Sequence, residues 1–287
     1  VVDRLQLLQP RQARLALGAA ALGVLPGPLQ LLGDRLLARL FLVLFLGFWK
    51  GYIIVRDVPG FILPPPEAVG QRFISLVADG TFIREGWVTL YTIIIGFSIG
   101  SILGFVAGYF SAKSRTFEEV ISPYVMLIQA TPKVSLIPLF VIWFGLGMPS
   151  KLLLIVLSAF FPVMINTILG LRSVPEDYEN LMTILGASER QSTLKMRLPM
   201  ATPLIMAGLK IAMVQSIIGA IVSEWMAGDR GFGYLLVYGS SLYDANLLMA
   251  SIIATTFLGL ILYWSIELIE KKLLFWHESK LAFTEGT

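Results

Sequence analysis

Residues 173–199 read SVPEDYENLMTILGASERQSTLKMRLP, the one long charged stretch late in an otherwise apolar chain. Pro175 with Glu176 and Asp177 behind it has the composition of a helix start, Gly186 that of a turn, and Ser188-Glu189-Arg190 that of a second start. The stretch therefore reads as two short helices broken at a glycine, between segments of membrane length. A connector that merely lies on the membrane needs neither the turn glycine nor the closing Leu198-Pro199. A structured loop between two spans is built to receive something from the water side.

Outward from this loop the composition sets the class. Of 287 residues, 56% are hydrophobic and 14% charged, against about 25% charged in soluble domains, and the mean hydropathy is +0.78. The apolar stretches exceed the ~20 residues a helix needs to cross a bilayer. They lack the alternation of a membrane β-strand. The reading is an all-α polytopic membrane bundle. The absence of cysteine excludes disulfides and thiolate metal sites, and His277, the one histidine, leaves little for metal, haem or general-base chemistry. The net charge of +3 follows membrane topology and gives no ground for nucleic acid as a partner.

Six transmembrane helices are expected, at about 36–55, 87–112, 121–146, 151–171, 203–227 and 247–269. Lys and Arg number five up to the first turn of the first (Arg4, Arg11, Arg14, Arg35 and Arg39), two between the second and third, four between the fourth and fifth, and three after the last; the other side carries Arg56, Arg72, Arg84 and Arg230. The excess of positive charge places both termini, and the Gly186 loop, in the cytoplasm. Residues 1–35 form an N-terminal arm in which Leu15–Leu25 is too short to span and is followed by Pro26-Gly27-Pro28; an interfacial helix fits it best. Residues 36–277 make a single membrane domain with the loop at 173–199, and 278–287 a cytoplasmic tail. Leu63-Pro64-Pro65-Pro66 and an amphipathic stretch to Ile83 lie outside the membrane.

Gly96, Gly100, Gly104 and Gly108 share one face of the second span and predict close helix packing rather than a solute site. Polar residues inside spans are costly unless they face protein or water. The fourth span carries Ser158, Pro162 and Asn166 on one face, the fifth Gln215, Gly219 and Ser223 with Glu224 adjacent, and the third Gln129, Thr131, Pro132 and Lys133. Pro132 and Pro138 should kink or break the third. Interhelical hydrogen bonding accounts for any one of these residues; three striped helices together favour a translocation path through Gln129, Pro132, Asn166, Gln215, Ser223 and Glu224. Glu224 reads as a gate, a counter-ion, or an interfacial charge beside Trp225. Lys133 and Lys210 either offer charge to an anion or snorkel to the headgroups.

The loop resembles the coupling segment of permease subunits of binding-protein-dependent ABC importers, whose pattern is Glu-Ala-Ala, three residues, Gly, nine residues, Ile, one residue, Leu-Pro. Gly186, Leu198 and Pro199 match it, Met196 stands for the Ile, and Asn180-Leu181-Met182 stands where Glu-Ala-Ala is expected, with Glu179 one position earlier. Leu63–Pro66, Thr131-Pro132-Lys133 through Gly147, Phe161-Pro162 with Asn166-Thr167, Leu171–Val174, and Glu224 through Tyr234 are similar to the nitrate/sulfonate/taurine-type branch, over about residues 60–277. The resemblance implies a bacterial inner-membrane permease that pairs with a second copy of itself, two cytoplasmic ATPase subunits and an extracytoplasmic solute-binding protein. It also implies alternating access for a small solute of the nitrate, bicarbonate, sulfonate, taurine or vitamin-precursor type. Glu179, Gly186, Ala187, Ser188, Glu189, Arg190, Leu198 and Pro199 would make the ATPase contact. No Gly-x-x-x-x-Gly-Lys-[Ser/Thr] loop is present, so ATP and Mg belong to partner subunits and the chain is not itself an enzyme. The alternative, a secondary transporter or channel without an ATPase, calls for an ion relay that the few intramembrane charges do not form.

Overall fold

In lipid every backbone polar group needs an internal partner, so an apolar chain that crosses a bilayer without forming a barrel crosses it as helix. The computed structural model describes residues 27–274 of the chain. The helices are α1 (Gly27–Arg56), α2 (Pro66–Ala78), α3 (Thr81–Lys113), α4 (Arg115–Ala130), α5 (Ile137–Phe144), α6 (Met148–Arg172), α7 (Glu176–Ile184), α8 (Glu189–Ala227), α9 (Phe232–Ser241) and α10 (Ala245–Leu273). The apolar run Leu15–Leu25, the rest of residues 1–26, His277 and the tail 278–287 lie outside the described residues.

Helices α2 to α10 form one compact unit, and α1 belongs to another. Along α1 the aromatic pairs Phe45–Trp49 and Phe48–Tyr52 sit one helical turn apart. In the larger unit, α3, α6, α8 and α10 are each long and apolar enough to cross a membrane, and the bent pair α4–α5 makes a fifth span if counted as one. Between 28% and 44% of each span's apolar window is buried within the chain. Wide apolar surface thus remains for lipid or another subunit.

Helix α6 is the centre of the unit, packed between α3 and α8. Small residues let the backbones meet. A Cβ on Gly100 would stand 2.6 Å from the Val156 carbonyl oxygen, and one on Gly108 2.6 Å from that of Met164. One on Gly104 would overlap the Phe160 carbonyl oxygen, and one on Gly96 would strike the Ile155 side chain. On its other flank α6 meets Gly208, whose added Cβ would lie 2.6 Å from Asn166 Cβ, and Gly219, 3.2 Å from Ser158 Oγ. Without a hydrophobic drive between helices in lipid, such close packing supplies much of the association. Ile93, Ile155, Met206, Met213 and Leu262 fill the space where α3, α6, α8 and α10 converge.

Gly104→Ala should therefore destabilise the bundle by about 1–3 kcal/mol, the usual cost of overpacking. Gly70→Ala, where a Cβ meets nothing within 4 Å, should be neutral or slightly stabilising. Thermal unfolding of the detergent-solubilised chain compares the two; equal stability for both would contradict the packing account.

Of the two forms that Pro132 and Pro138 allow, the third span takes the broken one: α4 and the segment from Lys133 to Phe144 meet at 89°. Pro132 has no N–H to continue the ladder and holds Thr131 extended at φ −71, ψ 130. Pro138 sits in the first turn of α5, where a missing donor costs nothing. The fifth span does not start at Pro203. It runs without interruption from Glu189, with Pro199 in the turn that opens the α-helical part and Pro203 inside it. A π turn over Thr193–Arg197 precedes Pro199. Pro199 cannot donate to the carbonyl four residues back and its ring crowds it, and the wider turn relieves that clash.

Candidate functional site

The loop that joins α6 to α8 is ordered by its own backbone. Helix α7 starts after Pro175 with Glu176, Asp177 and Glu179 in its first turn, where carboxylates oppose the positive helix end. It ends at Gly186, whose φ of +69 is strained for a residue with a Cβ. There the Gly186 N–H donates to Thr183 O at 3.0 Å and the Ala187 N–H to Met182 O at 2.9 Å, the paired bonds of a Schellman stop. Two residues on, Ser188 Oγ accepts from the Gln191 N–H at 3.3 Å while the Ser188 N–H donates to Gln191 Oε1 at 2.8 Å. This capping box opens α8. One helix is closed and the next opened within five residues, and the second continues directly into the membrane span.

Arg197 ties the two arms together. Its Nε donates to Glu179 Oε1 at 3.0 Å and its other nitrogen to Glu189 Oε1 at 3.0 Å, while Lys113 from the end of α3 lies 3.9 Å from Glu189. These groups, with Arg172 and Thr193, line a cleft of about 470 Å³. Glu179, expected to face a partner, thus engages the chain's own Arg197. Met196, in the place of the Ile, is buried, whereas Arg190 is exposed. Sequence reading missed the apolar tip: Ile184 and Leu185 are 81% and 69% exposed. Two large apolar side chains at the end of a charged loop were legible as a signal for contact.

A second cavity, about 300 Å³, lies between the break after α4, the middle of α6 and the middle of α8. Gln129, Thr131, Lys133, Ser158 and Gln215 line it together with Gly219. The polar stripes of three helices do converge, but only in part. Asn166 faces Gly208 and donates to Pro162 O at 2.8 Å. Ser223 is fully buried, its hydroxyl on Ala220 O at 2.9 Å. Pro132 forms the bend beside the cavity without lining it. Lys210, a candidate for an anion, is paired with Glu270 of α10 at 2.8 Å.

Glu224 is corrected most sharply. Its side chain is 0% exposed and faces away from that cavity. Its Oε2 accepts from Thr89 Oγ1 at 2.9 Å and from the Gly233 N–H at 3.0 Å. Beside it the Gly231 N–H donates to Glu85 Oε2 at 2.8 Å and the Phe232 N–H to Thr89 Oγ1 at 2.9 Å. Gly231 has φ +107 and any Cβ there would overlap the Glu224 carboxylate. These contacts hold the Gly231–Gly233 turn, and with it α9, against α3 and α8. Among the described residues no group of three or more His, Cys, Asp or Glu is placed to hold a metal ion.

A helical membrane unit with a capped loop continuous with one span has the architecture of a transporter's membrane component. Residues 100–275 match the family of binding-protein-dependent transport system inner membrane components, and the chain belongs to it. It is 33% identical over 234 residues to a probable ABC transporter permease protein of Haemophilus influenzae, covering 81% of this chain and 95% of that one. It is 32% identical over 238 residues to the riboflavin transport system permease protein RibX of Chloroflexus aurantiacus (83% and 89%). It is 31% identical over 222 residues to the putative aliphatic sulfonates transport permease protein SsuC of Bacillus subtilis (77% and 80%). The inward-facing MetNI methionine ABC transporter shares the fold, with TM-score 0.60 at 16% identity over 67% of this chain and 95% of that one. The chain is the permease of an ABC importer, a multi-pass protein of the plasma membrane.

Proposed function

We propose that two copies of this chain form the path, that two ATPase subunits dock on the Gly186 loops in the cytoplasm, and that a solute-binding protein delivers cargo on the opposite side. Helix α1 is then the first of six spans, and both termini lie in the cytoplasm. ATP and Mg are held by the partners. The cargo is a small organic or oxyanionic solute, in keeping with relatives named for sulfonates and riboflavin. The solute passes the cavity that Gln129 and Gln215 line; Ser223 and Glu224 are structural.

One observation carries this reading: the docking turn and the membrane lever are one helix. Glu189–Ala227 has 39 residues, so at 1.5 Å per residue it is about 58 Å long. ATP-driven closure of the docked subunits displaces its loop end, and the rigid helix moves the cavity wall at Gln215 and Gly219. A partner shifts such an equilibrium only by its differential affinity for the two states. The ion pairs of Arg197 keep α7 and α8 moving as one body.

Proteoliposomes holding the chain with its ATPase subunits, given the external binding protein and loaded with candidate solute, test the proposal. Uptake should require both ATP on the loop side and the binding protein. Equal uptake without ATP would establish the carrier or channel reading instead.

A further inference from the structure

The charges inside the bundle are not distributed at random. Lys151 meets Asp229 at 3.6 Å, Lys210 meets Glu270 at 2.8 Å, and Arg172 and Arg197 each meet glutamates. Lys133 differs. Its ammonium lies 5.0 Å from the centre of the Phe161 ring, and among the described residues no carboxylate lies within ion-pair distance of it. It stands on the wall of the 300 Å³ cavity, whose other polar lining is two side-chain amides and two hydroxyls, from Gln129, Gln215, Thr131 and Ser158. Glu224 is only two residues from Val222 of that lining, yet its carboxylate is turned away onto Thr89 and Gly233. The two hydroxyls donate to their own helix carbonyls, Thr131 to Leu127 O and Ser158 to Leu154 O, so a cavity with one cation, two side-chain amides and no acid has a defined preference. Field lines from a single charge between low-dielectric walls concentrate in the space it faces.

We propose that this cavity is selective for small oxyanions, with Lys133 the charge that selects them and Gln129 and Gln215 the donors that orient them. The Phe161 ring holds the ammonium by its face, an attraction weak enough that an anion competes for it. A lasting ion pair would not yield. The inference rests on the reading of the cavity as part of the path, and it narrows the cargo to a carboxylate, sulfonate or similar monoanion. Volume agrees, since cavities of about 300 Å³ take small ligands.

The chain has no cysteine, so Gln215→Cys places a unique thiol on the cavity wall. Two probes of similar size and opposite charge suit it: the anionic sulfonatoethyl and the cationic trimethylammonioethyl methanethiosulfonates. Rates are measured by mass on the full chain assembled with its ATPase subunits in membranes, each divided by the rate with free mercaptoethanol. The anionic reagent should be favoured at least tenfold, as expected for a nearby unit charge in a medium less polar than water. Adding Lys133→Gln should remove that preference, and Lys133→Arg should keep it. If both reagents react at equal normalised rates, or the preference survives Lys133→Gln, the oxyanion assignment is wrong while the path stands. If neither reacts, the cavity is closed to water and both readings fail.

Discussion

Gly186→Pro should abolish the ATP hydrolysis stimulated by loaded binding protein, by more than tenfold, while the bundle unfolds at the wild-type temperature. Proline is fixed near φ −65°, and position 186 sits at +69. Proline also lacks the N–H that donates to Thr183 O, so the stop of α7 and the approach to the Ser188 cap are both lost. A Cβ at this position meets nothing within 4 Å. The damage is therefore confined to the turn and does not reach the contacts of α3, α6 and α8. Gly186→Ala, which incurs only the left-handed penalty of roughly 1–2 kcal/mol, should give an intermediate loss. Arg197→Gln should also lower stimulated hydrolysis, several-fold, with little change in unfolding, because half-exposed ion pairs contribute about 1 kcal/mol or less. Unchanged stimulated hydrolysis in Gly186→Pro would contradict the docking role.

Glu224→Ala should act on stability instead, by about 3–5 kcal/mol. It strips the acceptor from the Gly233 N–H, a buried donor that costs ~1–3 kcal/mol unpaired, leaves the Thr89 hydroxyl only its longer bond to Glu85 O at 3.3 Å, and leaves a void. Glu224→Gln keeps an oxygen in the position of Oε2, which receives both bonds, and should remain close to wild type in thermal unfolding and in uptake. A water-facing gate behaves in the opposite way: Gln would block transport and leave the fold untouched. Unfolding and uptake measured on both variants separate the two roles, and a Glu224→Gln protein that is stable but inactive would restore the gate.

The parts of the molecule that follow local rules were legible in the sequence. The break after Ala130 is dictated by Pro132 and the stop at Gly186 by its left-handed backbone, and the stripe Gly96–Gly108 lies on one face whatever it packs against. What was not legible depends on partners distant in the chain. Polar side chains at helical spacing are as readily satisfied by their own backbone as by water: Ser158 donates to Leu154 O, Thr167 to Val163 O and Ser216 to Ala212 O. A stripe therefore cannot by itself show which of its members face a cavity, and Asn166 and Ser223 were placed on the path for that reason. Glu224 is held by Thr89, which lies 135 residues away, a pairing no local pattern contains. Arg197 was counted as a topological charge because its partners Glu179 and Glu189 are brought to it only by the Gly186 turn. Helix α9 is too short and too mixed in character to read as a span.

Everything proposed for transport depends on an ATPase subunit sitting on the Gly186 loop. Ile184→Cys puts a single thiol at the exposed apolar tip of that loop, and Ile74→Cys puts one on α2, at a position 69% exposed and proposed to lie on the other side of the membrane. Each variant is titrated with a hydrophilic maleimide in membranes opened to both sides, with and without the ATPase subunits assembled. Assembly should protect the thiol of the Ile184→Cys variant at least tenfold and leave that of the Ile74→Cys variant unchanged. Equal modification of the Ile184→Cys variant in the free and assembled states would show that the ATPase docks elsewhere.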